Sequence, residues 1–106
     1  MSKYLFHLSY TPEGAKGLLK EGGKGRADAA ARLVESLGGK LEGCYFAFGE
    51  TDAYVLADLP SPEAAAALAL NVSAAGAVTA KTTVLLTPEQ LDATRGLKPE
   101  YRPPGG

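Results

Sequence analysis

Three similar tripeptides constrain the fold of this 106-residue chain. They are Thr11–Glu13 (TPE), Ser61–Glu63 (SPE) and Thr87–Glu89 (TPE), and each follows a strand-like stretch and precedes a helix-like one. A Ser or Thr side chain caps free backbone N–H groups at a helix start, proline suits the first helical position, and glutamate in the first turn meets the positive end of the helix dipole. Each tripeptide therefore predicts a helix that begins directly after a strand.

Alternating apolar and polar residues predict four strands between and beside these helix starts. The strands cover Lys3–Tyr10, Lys40–Gly49, Ala53–Leu59 and Ala77–Thr87. Only Glu50, Thr51 and Asp52 separate the second strand from the third, which is the spacing of a β-hairpin.

Three helical patterns complete the order of elements: Arg26–Gly39, which ends in two glycines, Pro62 to about Ala75, and Pro88 to about Arg95. The order β-α-β-β-α-β predicts an α+β, ferredoxin-like sandwich with a four-stranded antiparallel sheet, to which a C-terminal helix and tail are added. In such a sheet the usual strand order is 4-1-3-2. We expect residues 1–96 to form one domain, and the Pro- and Gly-rich residues 97–106 to form an extended tail.

Several stretches of the chain resemble the GYD-domain family. They are Tyr10–Leu19 (YTPEGAKGLL), Gly25-Arg26, Leu37–Gly39 (LGG), Phe48–Pro60 (FGETDAYVLADLP) and Ser73–Leu91 (SAAGAVTAKTTVLLTPEQL). In the motif that names the family, Gly49 and Asp52 fit, whereas Thr51 stands where the family has tyrosine. The resemblance implies a ferredoxin-like domain that pairs into a dimeric α+β barrel. The family's biochemical role is largely undefined, so no activity is carried over with it.

Charge and hydropathy exclude several classes of partner. The net charge is −1, and a nucleic-acid binder needs clustered cations to release counterions from phosphates, so we expect no nucleic-acid partner. The longest uncharged run, Ala64–Ala80, contains polar residues such as Asn71 and Ser73, so we expect no membrane span. The first residues enter a strand without the pattern of a signal peptide, which predicts a cytoplasmic protein.

Catalytic and metal motifs are sparse. Glu50 and Asp52 lie in the predicted turn, where carboxylates commonly shape the backbone, and we expect them to shape the hairpin rather than act as an acid–base pair. Cys44 lies within a strand and is expected to behave as a small apolar residue. One histidine and one cysteine, far apart in the sequence, predict no metal site, and no cofactor is implied.

One glycine-rich segment, Lys20–Asp28, is a candidate anion site because glycine lets backbone N–H groups approach a phosphate and a helix follows. The candidate residues are Gly22, Gly23, Lys24, Gly25 and Arg26. The segment lacks the spacing of a P-loop, so nucleotide binding by that mechanism is not indicated. The alternative is a plain link between two helical pieces.

The strand order predicts a second candidate site on one face of the sheet. His7 and Ser9 should share that face with Lys81 and Thr83, and also with Tyr54 and Asp58. A histidine, a lysine, an aspartate and a tyrosine could together bind or protonate an acidic substrate. The alternative is a hydrogen-bonded polar layer between two subunits.

Two helices should cover one face of the sheet and leave the other open, with Leu5, Leu56 and Leu85 on it. That open area projects to roughly 400 Å², about the largest apolar patch of a typical monomer, while a standard interface buries roughly 800 Å² per partner. We therefore expect a homodimer or higher oligomer that acts as an association or small-ligand-binding module, with a small acidic ligand as a further partner. The alternative is a small isomerase or monooxygenase-like enzyme of the dimeric α+β barrel type, with its site on the His7 face.

Overall fold

The computed structural model describes residues 1–106 and contains four strands, four α-helices and one 3-10 turn. In chain order these are β1 (Ser2–Tyr10), α1 (Pro12–Glu21), α2 (Gly23–Ser36), β2 (Lys40–Phe46), β3 (Ala53–Leu59), α3 (Pro62–Ala75), β4 (Val78–Leu85), α4 (Pro88–Ala93) and the 3-10 turn Thr94–Gly96. None of the helices is long and apolar enough to cross a membrane.

The strands form one antiparallel sheet in the order β2-β3-β1-β4, which confirms the ferredoxin-like α+β fold. Helices α2 and α3 pack on one face of the sheet and enclose the core between them. Phe6, Val34 and Leu59 are its largest fully buried side chains. Only 11 of the 106 residues are buried, so much of the apolar surface remains outside this core.

All three Ser/Thr-Pro-Glu starts cap helices as the sequence predicts. The Thr11 side chain accepts a hydrogen bond from Gly14 N–H at 3.2 Å, and the Ser61 side chain accepts one from Ala64 N–H at 3.1 Å. At α4, Thr87 and Gln90 exchange two such bonds in a complete capping box. In each helix the capping side chain therefore accepts a hydrogen bond from one N–H group of the first turn.

The segment Lys20–Asp28 differs from the predicted glycine-rich loop. Helix α1 continues to Glu21 and α2 starts at Gly23, so the two helices are joined by a single residue. That residue is Gly22, whose φ of 88° lies in the region that favours glycine. The predicted helical pattern therefore began three residues too late.

The hairpin also differs from its prediction. Strand β2 ends at Phe46 rather than Gly49, and residues 47–52 form a longer loop. Gly49 is not the residue that turns the chain, because the positive φ of 58° belongs to Phe48. The Phe48 ring stacks on the Phe46 ring with centroids 6.3 Å apart. A bulge between Leu41 and Gly43 further shifts the register of β2.

Residues 86–106, here called the C-terminal arm, extend away from the sheet and its helices. The radius of gyration is 16.7 Å, against about 13 Å expected for a compact domain of about 100 residues. Every residue from Leu91 onward is exposed, including the apolar Leu97 and Tyr101. Residues 97–106 contain no helix or strand.

Candidate functional site

The face of the sheet that α2 and α3 leave uncovered is here called the open face. Successive residues of a strand point to opposite faces, so the register assigns the open-face residues directly. They are Lys3, Leu5, His7 and Ser9 from β1, Lys40, Gly43 and Tyr45 from β2, Tyr54, Leu56 and Asp58 from β3, and Thr79, Lys81, Thr83 and Leu85 from β4.

His7 lies on the inner strand β1, in a row of side chains that crosses the sheet. It pairs with Tyr54 on one side and Lys81 on the other. Its Nε2 shares a hydrogen bond of 3.0 Å with the Thr83 hydroxyl, and its ring meets the Tyr54 ring edge-on at 5.3 Å. The structure thus brings three of the four predicted residues, His7, Tyr54 and Lys81, together.

The fourth predicted residue, Asp58, shares the open face but not the neighbourhood of His7. It lies four residues beyond Tyr54 along β3, about 13 Å away at the usual rise of a strand. Its partner is Lys3, whose Nζ lies 3.1 Å from Asp58 Oδ1 and 2.7 Å from Glu42 Oε1. No carboxylate forms a hydrogen bond with His7.

The cluster of Lys3, Glu42 and Asp58 perturbs the ionisation of its members. Hydrogen bonds to Glu42 and then to Asp58 raise the pKa of the Lys3 ammonium above its ordinary 10.5. The interaction with Glu42 and the nearby Lys3 ammonium lower the pKa of Asp58 below its ordinary 3.8, although burial opposes the shift. Both shifts favour the charged forms, so the cluster holds a fixed ion pair at neutral pH.

A polar depression of about 500 Å³ opens at the other end of the face. It is lined only by polar side chains: His7, Ser9, Glu50, Thr51, Thr79 and Lys81. Neither Glu50 nor Lys81 forms an ion pair with another side chain. The sequence analysis missed Glu50 and Thr51 here, because the hairpin loop folds over the end of β1 and no sequence pattern specifies that path.

Asp52 has a structural role that differs from the local turn expected. Its Oδ2 accepts a hydrogen bond of 2.7 Å from the Tyr10 N–H, and its own N–H donates to the Leu8 carbonyl at 2.9 Å. Strand β3 begins only at Ala53, so the carboxylate supplies the acceptor that a longer strand would have supplied to Tyr10. The aspartate of the family motif therefore attaches the hairpin to β1.

The candidate anion residues Gly22–Arg26 form the junction of α1 and α2. A Cβ at Gly23 would lie 3.2 Å from the Phe46 ring, so close packing accounts for that glycine. The Lys24 side chain is exposed, and Arg26 Nη1 lies 3.4 Å from Glu21 Oε1. Anion binding at this junction stays a prediction.

Arg26 also faces the covered side of the sheet, where Tyr10 and Cys44 are half-buried. Burial raises the pKa of the Tyr10 hydroxyl and of the Cys44 thiol, and the Arg26 charge lowers both in part. Both groups are therefore protonated at neutral pH, which makes Cys44 a poor nucleophile. No group of three or more His, Cys, Asp or Glu side chains is placed to hold a metal ion.

Comparison with known proteins supports the resemblance noted in the sequence. The model of the GYD domain matches residues 4–94, which is most of the chain and includes β1 from Tyr4 onward and all of β2, β3 and β4. No curated protein and no solved structure gives a significant match. On the family match and the fold that it accompanies, the chain belongs to the GYD-domain family.

Proposed function

We propose that this domain is a homodimeric association module in which the open faces of two copies pack against each other. The observation that carries the proposal is the uncovered apolar and aromatic surface of the open face. Leu5, Leu56 and Leu85 are only half-buried, and the Tyr45 side chain is 70% exposed. Burying such side chains is worth roughly 25 cal/mol per Å² of apolar surface removed from water.

The charges of the open face are compatible with a second copy as the partner. Lys3, Lys40 and Lys81 are balanced by Glu42, Asp58 and Glu50, the last of which lines the depression at the end of the face. A two-fold interface places a surface against itself, so a face with a net charge would repel its copy. A face whose charges are balanced, and partly paired within the chain as in the Lys3 cluster, does not repel its copy.

The C-terminal arm supplies the additional area that a stable dimer needs. The sheet face alone projects to roughly 400 Å², about half of a standard interface per partner. The arm begins with α4, whose N-terminus has a capping box, and it exposes Leu91, Leu97 and Tyr101 to solvent. If the arm lay across the partner subunit, these side chains would be buried, and the extended path of the arm would be explained.

The polar depression supports a small-ligand role within this module better than it supports acid–base catalysis. Lys81 offers a positive charge without an internal partner, and His7 and Thr79 offer hydrogen bonds. A small acidic ligand suits such a surface. Catalysis would need a proton donor and acceptor in contact, whereas the Nε2 of His7 is engaged by Thr83.

The test compares the mass of the wild type with that of two charged variants by light scattering at micromolar concentration. We expect twice the 10.9 kDa chain mass for the wild type and the single chain mass for Leu56→Lys, which places an amine at the centre of the face. The matched control is Leu19→Lys, because Leu19 is 88% exposed and lies on α1, away from the open face.

We expect both variants to remain folded, because Leu56 lies outside the core and Leu19 is exposed. Circular dichroism checks this expectation. A monomeric wild type would refute the proposal. So would a dimeric Leu56→Lys variant, because the interface would then lie elsewhere.

A further inference from the structure

The helix-covered side of the sheet contains an apolar cavity of about 70 Å³. It lies between β1, β3 and β4 below and α2 and α3 above, and 11 of its 12 lining residues are apolar. The sheet contributes Phe6, α2 contributes Leu33 and α3 contributes Val72, among other residues. The remaining residue is Arg26, so one cation faces an otherwise apolar space.

A cleft of about 230 Å³ adjoins this cavity and opens between α1 and α3. The two spaces share Tyr10, Arg26, Val72 and Val78 as lining residues. The inner cavity alone is about half the size of the ~150 Å³ apolar cavity that admits benzene in an engineered protein. A ring bound here would therefore extend from the cavity into the cleft and bring its substituent to Arg26.

The polar groups at this junction are hydrogen-bond donors. The guanidinium of Arg26 carries five N–H donors, and its contact with Glu21 is long, at 3.4 Å, and half-exposed. Tyr10 adds a hydroxyl that burial keeps protonated. An acceptor on a ligand, above all a carboxylate, would find donors on the cavity side of the guanidinium.

Acidic side chains restrict the charge that such a ligand can carry. The outer cleft is lined by Glu13 and Glu21, and Arg26 is its one cationic lining residue. A dianion or a phosphate monoester would place a second negative charge beside Glu13 and Glu21, whereas a monocarboxylate places one, against the guanidinium. A single carboxylate attached to an apolar body matches both the donors and the apolar walls.

We propose that this cavity and cleft form a binding site for a small apolar monocarboxylate, such as an aromatic or short branched acid, held by Arg26. The site lies on the opposite side of the sheet from the open face. It therefore does not depend on the proposed dimer.

The experiment titrates ¹⁵N- and methyl-labelled protein with benzoate and, separately, with toluene. We expect benzoate to shift the methyl signals of Leu33 and Val72, which line the cavity. Arg26→Met should weaken benzoate binding at least tenfold and leave toluene binding within a factor of two, because a charge-assisted hydrogen bond is worth about 1.5–3 kcal/mol. The matched control is Arg32→Met, an exposed arginine of the same helix without an ion pair.

A second variant, Ala30→Leu, fills the cavity from α2 and should abolish the binding of both probes while the helix is retained. The proposal is overturned if benzoate shifts no cavity methyl group at millimolar concentration. It is also overturned if Ala30→Leu or Arg26→Met binds benzoate as the wild type does.

Discussion

The two faces of the sheet are built from the same strands, and neighbouring residues of one strand behave differently on them. Tyr4 and Phe6 point to the helices and are at most 3% exposed, whereas Leu5 between them is only half-buried. On β3, Val55 and Ala57 are buried while Leu56 is not. The period of two in a strand thus divides a single sequence into a surface that folds the chain and a surface that remains available.

The chemistry of the two faces differs in the same way. The helix-covered face is apolar, and its polar groups gather at one edge around Tyr10, Cys44 and Arg26. The open face has the ion cluster and Leu85 at one end, Leu5 and Leu56 in the middle and the depression beside His7 at the other end. Substitutions on the first face should therefore change folding, and substitutions on the second should change association.

The largest expected effect is the difference in the free energy of unfolding between substitutions of Phe6 and of its neighbour Leu5. Phe6→Ala leaves a cavity in the core and should lower the free energy of unfolding by about 3–5 kcal/mol. Leu5→Ala should cost about 1 kcal/mol in the separate chain, because only part of that side chain is buried. Urea unfolding at several protein concentrations measures both. If Leu5 lies in a dimer interface, its cost rises with concentration, whereas the cost of Phe6→Ala does not.

The next effect concerns the two acids of the hairpin. Asp52→Ala removes the acceptor of the part-buried Tyr10 N–H and should destabilise the protein by about 1–3 kcal/mol. Asp52→Asn retains an acceptor oxygen and should recover much of that loss. Glu50→Ala, on the open depression, should change stability by less than about 0.5 kcal/mol. Equal losses at Asp52 and Glu50 would contradict the structural role of Asp52.

A smaller effect is the pH dependence of the Lys3 cluster. The pKa of Asp58 is lowered on folding, so its contribution is present above its ordinary 3.8 and is lost as the pH falls through the folded value. The pKa of Lys3 is raised, so its contribution is present below 10.5 and is lost as the pH rises through the folded value.

We therefore expect Asp58→Asn to lose less stability than the wild type on acidification below about pH 4. Urea midpoints measured in a pH series check this expectation. If the stability of Asp58→Asn falls with acidification as much as that of the wild type, Asp58 is not the group whose protonation causes the loss.

The smallest effect is expected for His7→Gln. The amide of Gln can retain a hydrogen bond with Thr83, so stability should stay within about 0.5 kcal/mol and the mass in solution should not change. Gln cannot transfer a proton, so any activity found in the wild type should persist if the role of His7 is structural. Loss of such an activity with assembly intact would favour the enzyme alternative.

Regular alternation made one part of the molecule predictable from the sequence. Alternation assigns His7, Tyr54 and Lys81 to one face, and the usual strand order makes their three strands neighbours. The observed register then sets the three side chains in one row. The helix starts could also be predicted from the sequence, because a Ser/Thr-Pro-Glu start caps a helix through hydrogen bonds within the same few residues.

The rest depends on contacts between segments that are distant in the sequence. The bulge near Glu42 accompanies the contact of that carboxylate with Lys3, and no alternation pattern indicates it. The path of the hairpin loop, with its positive φ at Phe48, brings Glu50 to the depression. The cavity beside Arg26 exists only because α2 and α3 are packed on the sheet.

The most direct test of the pairing of open faces measures the solvent exposure of that face in the wild type. A soluble gadolinium chelate speeds the relaxation of methyl groups that it can reach, and Leu5, Leu56 and Leu85 place methyl groups on the open face while Leu19 serves as an exposed reference. Because these leucines are half-buried even in the single chain, the informative quantity is the change of their relaxation with protein concentration. We expect the relaxation enhancement of the three open-face leucines to fall as the concentration rises through the range where the dimer forms, while that of Leu19 stays constant. In Leu56→Lys, the relaxation of Leu5 and Leu85 should not depend on concentration. Open-face leucines whose relaxation in the wild type does not change with concentration would contradict the account.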